Sequence, residues 1–192
     1  VQTCALPICH DGKRGSLLRE CGYPAWRVIG LECCGWGDVE AKSAGVYYPE
    51  NLDHPLFHSP EPVGLKPGEV FGSSPDGKSR RAVGHEYDCR WSRLATMTSR
   101  TPDGGVVPVE PKGITTLAVG KRPSKIALDF FTNATLTADG AVADMIYWER
   151  PEGGRIFNAG AIGAGWALSV DPKLQALMRN TLARFGIQRS SG

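Results

Sequence analysis

Several features that mark common functional classes are missing from this sequence of 192 residues. It has no run of about 18 or more apolar residues, so no transmembrane helix is expected. Its formal net charge of +2 is close to balance, which gives no reason to expect binding to nucleic acid or to an anionic membrane. It has no C-x-x-C pair typical of a zinc ribbon and no G-x-S-x-G motif typical of a serine hydrolase. A chain of this length still buries a sizeable core, and we expect one domain.

The first eight residues have an unusual origin. Residues 1–8 read VQTCALPI, which is the translation of a common sequencing-adapter sequence, and Cys9 lies at its edge. We therefore expect 1–8 to be non-native and exclude it from reasoning about the fold. Residues 9–192 are expected to form a single domain, the C-terminal fragment of a larger protein.

The remaining cysteines are Cys21, Cys33, Cys34 and Cys89. We expect buried free thiols in a reducing compartment, which favours a cytoplasmic location. A redox pair formed by the adjacent Cys33 and Cys34 is the alternative.

The order of apolar residues and turn signals predicts a mixed, strand-rich α/β fold. Strands are predicted over 27–37 and 92–100, and two apolar runs around a Pro/Gly turn predict a hairpin over 141–162. Asp171 is typical of a helix N-cap and Gly186 of a C-cap, so the final amphipathic helix is predicted between them.

A glycine-rich segment follows the predicted hairpin. Gly160, Gly163 and Gly165 are spaced G-x-x-G-x-G, the reverse of the dinucleotide-binding fingerprint, and this segment has no lysine to form a P-loop. We therefore predict a close approach of backbone where a strand leads into a helix, with Trp166 packed over the sheet, rather than a phosphate site.

A segment near the C-terminus resembles a known family. The segment ADMIYWERPEGGRIFNAGAIGAGWALSVDPKLQALMRNTLARFG is similar to the end of proteins related to the large subunit of N,N-dimethylformamidase. The matching positions there are Ala143, Asp144, Met145, Tyr147, Glu149, Pro151, Gly153, Gly154, Phe157, Gly160, Ile162, Asn180, Leu182, Arg184 and Phe185. Upstream, LLRECGYPAWRVIGLECCGWGD resembles the family's L-W-R-x-x-G-x-P stretch, and Gly84, Glu86 and Asp88 match its G-x-E-x-D segment.

The resemblance implies part of a class I glutamine-amidotransferase-like α/β domain with extra β-strands and a C-terminal amphipathic helix. It also implies hydrolysis of small amides and a mononuclear iron held by two tyrosines and a glutamate, with the two tyrosines lying upstream of this fragment. The family's glutamate is best placed in a G-E-x-G-G pattern, where this sequence has GKRGS over 12–16. Lysine does not replace a carboxylate as a ligand for a hard cation, so Lys13 does not carry that ligand over.

The segment GHEYD over 84–88 is the best candidate for chemistry. In a strand Glu86 and Asp88 share one face while His85 points away. Carboxylates and an imidazole suit a metal site or acid–base catalysis, so we predict His85, Glu86 and Asp88 as catalytic residues and Glu86 as a metal ligand. The alternative is a polar strand end whose carboxylates pair with Arg81, Arg90 or Arg93. 

Weaker candidates lie elsewhere in the chain. His54 and His58 are four residues apart, but Pro55 between them favours a solvated loop over a zinc site. Tyr47 and Tyr48 are phenolate candidates, although adjacent tyrosines are more often packing residues. 

Three functions follow from these patterns. The first is the C-terminal part of a metal-dependent hydrolase of small amides with iron as its cofactor, using Glu86 as ligand or base. The full-length parent is then expected to be the active enzyme, and the fragment alone to be inactive. The second is a non-catalytic scaffold or ligand-binding domain, which Lys13 favours. The third is a thiol-dependent enzyme that uses Cys33 or Cys34. We expect a small-molecule substrate and, as protein partners, a second copy of the chain or a small accessory subunit, with no nucleic acid and no membrane.

Overall fold

The computed structural model describes residues 25–36, 44–97, 109–122, 127–128 and 140–187. Residues 1–8 and Lys13 lie outside these ranges, so the expectations about them stay predictions. The described strands are β1 (Glu32–Trp36), β2 (Val46–Pro49), β3 (Glu86–Cys89), β4 (Ile114–Lys121), β5 (Ala127–Leu128), β6 (Ala141–Glu149) and β7 (Arg155–Asn158). The described α-helices are α1 (Trp26–Ile29), α2 (Trp91–Met97), α3 (Ala164–Ala167) and α4 (Pro172–Arg184).

These strands form two antiparallel sheets, so the prediction of a mixed, strand-rich α/β fold is confirmed. One sheet has the order β3-β1-β5 and the other the order β2-β4-β6-β7. Strand β6 is buried along eight of its nine residues because it is central in its sheet and is covered on both faces. The described ladders are all antiparallel, and they do not by themselves show a glutamine-amidotransferase-like arrangement.

The predicted hairpin over 141–162 is confirmed as β6 and β7. Its turn carries Gly153 and Gly154 at φ of +94° and +89°, a left-handed conformation that glycine adopts at little cost. The final helix is confirmed as well. Asp171 accepts a hydrogen bond from the Lys173 amide at 2.8 Å, and Gly186 follows the helix at φ +84°.

Two predicted strands are wrong in whole or in part. The prediction over 92–100 falls on helix α2, which occupies 91–97 in the described part, because Trp91 and Leu94 are three residues apart and both point into the core. The prediction over 27–37 is right for β1 only. Helix α1 precedes that strand as a single turn that ends at Gly30, where φ is +81°.

The two sheets meet through β3 and β6. Tyr87 of β3 forms an isolated bridge with Ala161, just beyond β7, and the Cys34 thiol of β1 donates to the Val142 carbonyl of β6 at 3.1 Å. Tyr87, Cys89 and Cys34 are all fully buried at this junction. None of the described helices combines the length and the apolar character that crossing a bilayer requires.

Candidate metal-binding site

A β-bulge in β1 places three potential metal ligands on one face of the first sheet. Cys33 pairs with Asp88 and Trp36 pairs with Glu86, so four residues of β1 lie opposite three residues of β3. The extra residue of β1 lies between these pairs, where the register shifts. Because side chains alternate along β3, Glu86 and Asp88 face the Cys33 side.

The three side chains converge closely enough for one ion. The Cys33 sulfur and one carboxylate oxygen each from Glu86 and Asp88 lie within 4.8 Å of one another, and all three residues are half-buried. Metal–oxygen bonds of about 2.0–2.2 Å and metal–sulfur bonds of about 2.3 Å put donor atoms up to about 4.4 Å apart. Small side-chain rotations therefore suffice to close this cluster around a cation.

Keeping the carboxylates of the cluster ionised side by side is energetically unfavourable unless a positive charge lies between them. Burial, together with the neighbouring carboxylates of Glu86 and Glu32, raises the pKa of Asp88 from 3.8 to about 7. Among the described residues, no hydrogen-bond donor reaches the Glu86 or Asp88 side chain. Two carboxylates held together in this way favour either a shared proton or a bound cation.

The expected arginine partners are engaged elsewhere. Arg90 pairs with Glu110 at 2.7 Å and Arg93 with Asp144 at 2.8 Å. Arg81 donates to backbone carbonyls, including that of Ala44 at 3.1 Å. The alternative prediction, in which these guanidinium groups neutralise Glu86 and Asp88, is therefore wrong.

The backbone of the glycine-rich segment packs directly against β3 and β6, next to the cluster. The Gly160 carbonyl accepts a hydrogen bond from the Asp88 amide at 2.7 Å. A Cβ at Gly160 would lie 2.3 Å from the Asp144 carbonyl oxygen and 2.9 Å from that of Asp88, and φ there is +71°. The predicted close approach of backbone is confirmed, because only glycine permits this contact between the segment and both sheets.

His85 lies beside the cluster rather than in it. Its φ of +72° is unusual for a residue with a side chain. The imidazole ring lies 6.0 Å from the Trp166 ring, centroid to centroid. Trp166 is 43% exposed, so it covers His85 rather than packing over the sheet as predicted. The catalytic role of His85 stays a prediction.

The other histidines and tyrosines do not assemble a ligand set among the described residues. His54 Nδ1 accepts from the Leu56 amide at 3.3 Å, and His58 Nε2 lies 2.7 Å from the Leu52 carbonyl oxygen. The Tyr47 hydroxyl donates to the Ala159 carbonyl at 2.7 Å, and burial raises its pKa well above the usual range, so this phenol stays protonated. 

Tyr48 is the more exposed member of the tyrosine pair. Its ring lies 5.5 Å from the Lys121 ammonium group. These contacts give no support to Tyr47 or Tyr48 as a phenolate ligand.

The sequence prediction missed Cys33 as a member of the cluster. The sequence around Cys33 does not indicate a metal ligand, because its place in the cluster depends on the register of β1 with β3 and on the bulge. 

A second pattern also went unnoticed. Residues 72–79 fit the P-loop spacing G-x-x-x-x-G-K-S. In the structure the Asp76 carboxylate accepts the Lys78 and Ser79 amides at 2.9 and 3.0 Å, so those donors are already used by an anion of the chain itself.

Comparisons of this chain with protein-family models and with curated proteins give no match. 

Proposed function

We propose that this chain is the metal-binding part of a hydrolase that cleaves the C–N bond of small amides, with Cys33, Glu86 and Asp88 as its protein ligands. The observation that carries the proposal is the convergence of these three side chains within 4.8 Å, with no guanidinium or ammonium group from the described residues paired with either carboxylate. The resemblance to the dimethylformamidase family supports the amide substrate and a glutamine-amidotransferase-like domain.

One thiolate and two carboxylates suit a transition metal of intermediate hardness. Carboxylates suit hard cations, while thiolate selects zinc and iron over magnesium or calcium. Three protein ligands leave coordination positions open, as in catalytic rather than structural sites. Iron, which the resemblance implies, is therefore compatible with these residues, although the ligands differ from those of the family.

Each residue has a distinct part in the proposed reaction. When bound, the metal ion supplies Lewis-acid polarisation of a substrate carbonyl. Asp88 and Cys33 give up their protons to bind it, because only the carboxylate and the thiolate are ligands. His85, next to Glu86 in the chain, is proposed to accept or deliver a proton at an imidazole nitrogen. 

A second candidate function is a non-catalytic, ligand-binding domain. It is favoured by Lys13, which stands where the family has its glutamate. This candidate needs no open coordination position and no acid–base group. The two functions differ in what the purified protein does to an amide.

The test is amine release from small formamides by the full-length parent protein that carries this domain, loaded with ferrous iron under anaerobic conditions. We expect Glu86→Gln to lower the rate by about 10–100-fold or more, because a change even to an outer partner of a metal site has an effect of that size. Glu152→Gln is the matched control, because Glu152 lies in the β6–β7 turn with its side chain 73% exposed. Equal rates for Glu86→Gln and Glu152→Gln would refute the role of Glu86. Metal binding with no hydrolysis of any amide would favour the second candidate.

A further inference from the structure

A cleft of about 400 Å³ lies beside the edge strand β2. Its described lining comes from β2 and the residue before it, from the end of β4 and from the segment 70–81, and it includes none of the three candidate metal ligands. Among the described residues that line the cleft, three are cationic, Arg81, Lys121 and Arg122, and none is acidic. A cleft lined by charges of one sign concentrates ligands of the opposite sign, so this cleft attracts anions.

Two donors, Ser73 and Arg81, lie side by side at the cleft. They are opposite each other in an antiparallel bridge, so their side chains lie on the same side of it. The Arg81 guanidinium is held in place because Nε donates to the Gly77 carbonyl at 2.9 Å and Nη1 to the Ala44 carbonyl at 3.1 Å. Neither Arg81 Nη2 nor the Ser73 hydroxyl makes a hydrogen bond with a described residue. The pair therefore offers one anion N–H and O–H donors that are already oriented.

The other two cations contribute charge to the cleft. The Lys121 ammonium group lies 5.5 Å from the centre of the Tyr48 ring. Arg122 is 4% exposed, and its guanidinium donates a hydrogen bond to the Tyr87 hydroxyl. A cation with so little access to water acts on a nearby anion more strongly than an exposed one does. Binding in the cleft needs the charge of these two residues and not any further hydrogen bond from them.

One wall of the cleft is apolar and open to solvent. Tyr48 and Val70 are 44% and 38% exposed, and both line the cleft. Val46 pairs with Lys121 in the β2–β4 ladder, and Tyr48 lies two residues further along β2, so these three side chains share one face of the sheet. Exposed apolar surface beside cationic groups suits a ligand that has an apolar body and an anionic group. The volume is within the range of about 300–1,000 Å³ that is typical of small-molecule sites.

We propose that this cleft binds a small phosphate monoester, with its phosphate group held by Arg81 and Ser73 and its organic body against Tyr48 and Val70. A phosphate monoester suits the three cations better than a carboxylate does, because it carries between about 1.5 and 2 negative charges at neutral pH and has three acceptor oxygens. The phosphate group lies outside the loop with P-loop spacing, whose amides are already bound by Asp76. This site does not depend on the bound metal or on amide hydrolysis.

The experiment is isothermal titration calorimetry of the full-length parent protein that carries this domain. The protein is treated with EDTA and then separated from it by gel filtration, so that neither a metal ion nor EDTA competes for the probe. The probe is phenyl phosphate, and inorganic phosphate and benzoate are the comparison ligands. We expect one phenyl phosphate bound per chain with a Kd below about 1 mM at low ionic strength, and weaker binding of both comparison ligands.

Three variants locate the binding. Arg81→Gln should weaken phenyl phosphate binding at least about 10-fold, because it removes hydrogen bonds between charged groups. Ser73→Ala should weaken it about 3–10-fold, and it leaves the fold undisturbed because the hydroxyl makes no hydrogen bond with a described residue. Arg80→Gln is the matched control, since it removes the same charge from the adjacent, exposed residue, which donates to the Ser169 hydroxyl at 2.7 Å. Its affinity should equal that of the wild type.

Several results would overturn the proposal. One is the absence of phenyl phosphate binding, and another is an equal loss of affinity in Arg81→Gln and Arg80→Gln, which would show a non-specific effect of net charge. Benzoate binding as tightly as phenyl phosphate would refute a phosphate site, and inorganic phosphate binding as tightly would refute the apolar wall as part of it. If Arg81→Gln does not fold, equal affinities of Ser73→Ala and Arg80→Gln would overturn the proposal.

Discussion

Replacing Asp88 by asparagine should stabilise the metal-free protein at alkaline pH, although most substitutions of half-buried polar residues destabilise. Asp88 has a pKa of about 7 in the fold and 3.8 as its ordinary value. Between these two values the folded state holds a proton that the unfolded state has released, so stability falls as pH rises from about 4 to about 7. The full shift corresponds to about 4 kcal/mol of lost stability at pH 8.

Asparagine has nearly the same shape and carries no charge, so it removes this cost. In urea unfolding with EDTA present, Asp88→Asn should gain up to about 4 kcal/mol over the wild type at pH 8 and differ little at pH 4. Asp76→Asn is the control of opposite sign. Hydrogen bonds from Ser74 and Ser79 lower the pKa of Asp76, so losing that carboxylate should destabilise at pH 8.

The reasoning about Asp88 would be refuted by either of two results. One is a stability difference between Asp88→Asn and the wild type that does not change between pH 4 and pH 8. The other is a variant that is less stable than the wild type at pH 8. Both would mean that burial and the neighbouring carboxylates do not raise the pKa of Asp88 in the folded chain.

Two further substitutions test how much buried polar interactions near the site contribute to the free energy of unfolding. Asp144 is 1% exposed and accepts three hydrogen bonds from the Arg93 guanidinium. Asp144→Ala should therefore lose about 3–5 kcal/mol in urea unfolding, and a loss below about 1 kcal/mol would contradict this account. Asn180, which is fully buried, donates to the carbonyls of Leu56 and Glu61 at 2.8 Å and accepts from the Glu61 amide at 3.1 Å. Asn180→Leu should therefore cost about 2–4 kcal/mol by thermal or urea unfolding, and a variant as stable as the wild type would show that these bonds contribute little.

Local patterns in the sequence predicted the elements whose signals are local. The β6–β7 hairpin and helix α4 are examples, because a Pro/Gly turn and an Asp-Pro helix start act on neighbouring residues. Helix α2 was taken for a strand because its seven residues alternate in polarity almost as well as they follow a helical period. Its conformation depends on packing Trp91 and Leu94 into the core.

The candidate site was predictable only in part, because local sequence patterns do not encode contacts between distant strands. Alternation along one strand was enough to place Glu86 and Asp88 together. Cys33 joins them through a bulge and a register between strands about 50 residues apart, which no local pattern encodes. The engagement of Arg90 and Arg93 with Glu110 and Asp144 likewise depends on tertiary contacts, so the carboxylates of the cluster could not be known to be unpaired.

The most direct test of the central claim is titration of the metal-free protein with cobalt(II), a spectroscopic substitute for iron or zinc. The account predicts one cobalt ion bound per chain, with a thiolate-to-cobalt charge-transfer band that disappears in Cys33→Ser and binding that weakens strongly in Glu86→Gln but not in Glu152→Gln. A folded protein that binds no cobalt, or that binds it with the same spectrum after Cys33 is replaced, would contradict the assignment of Cys33, Glu86 and Asp88 as a metal site.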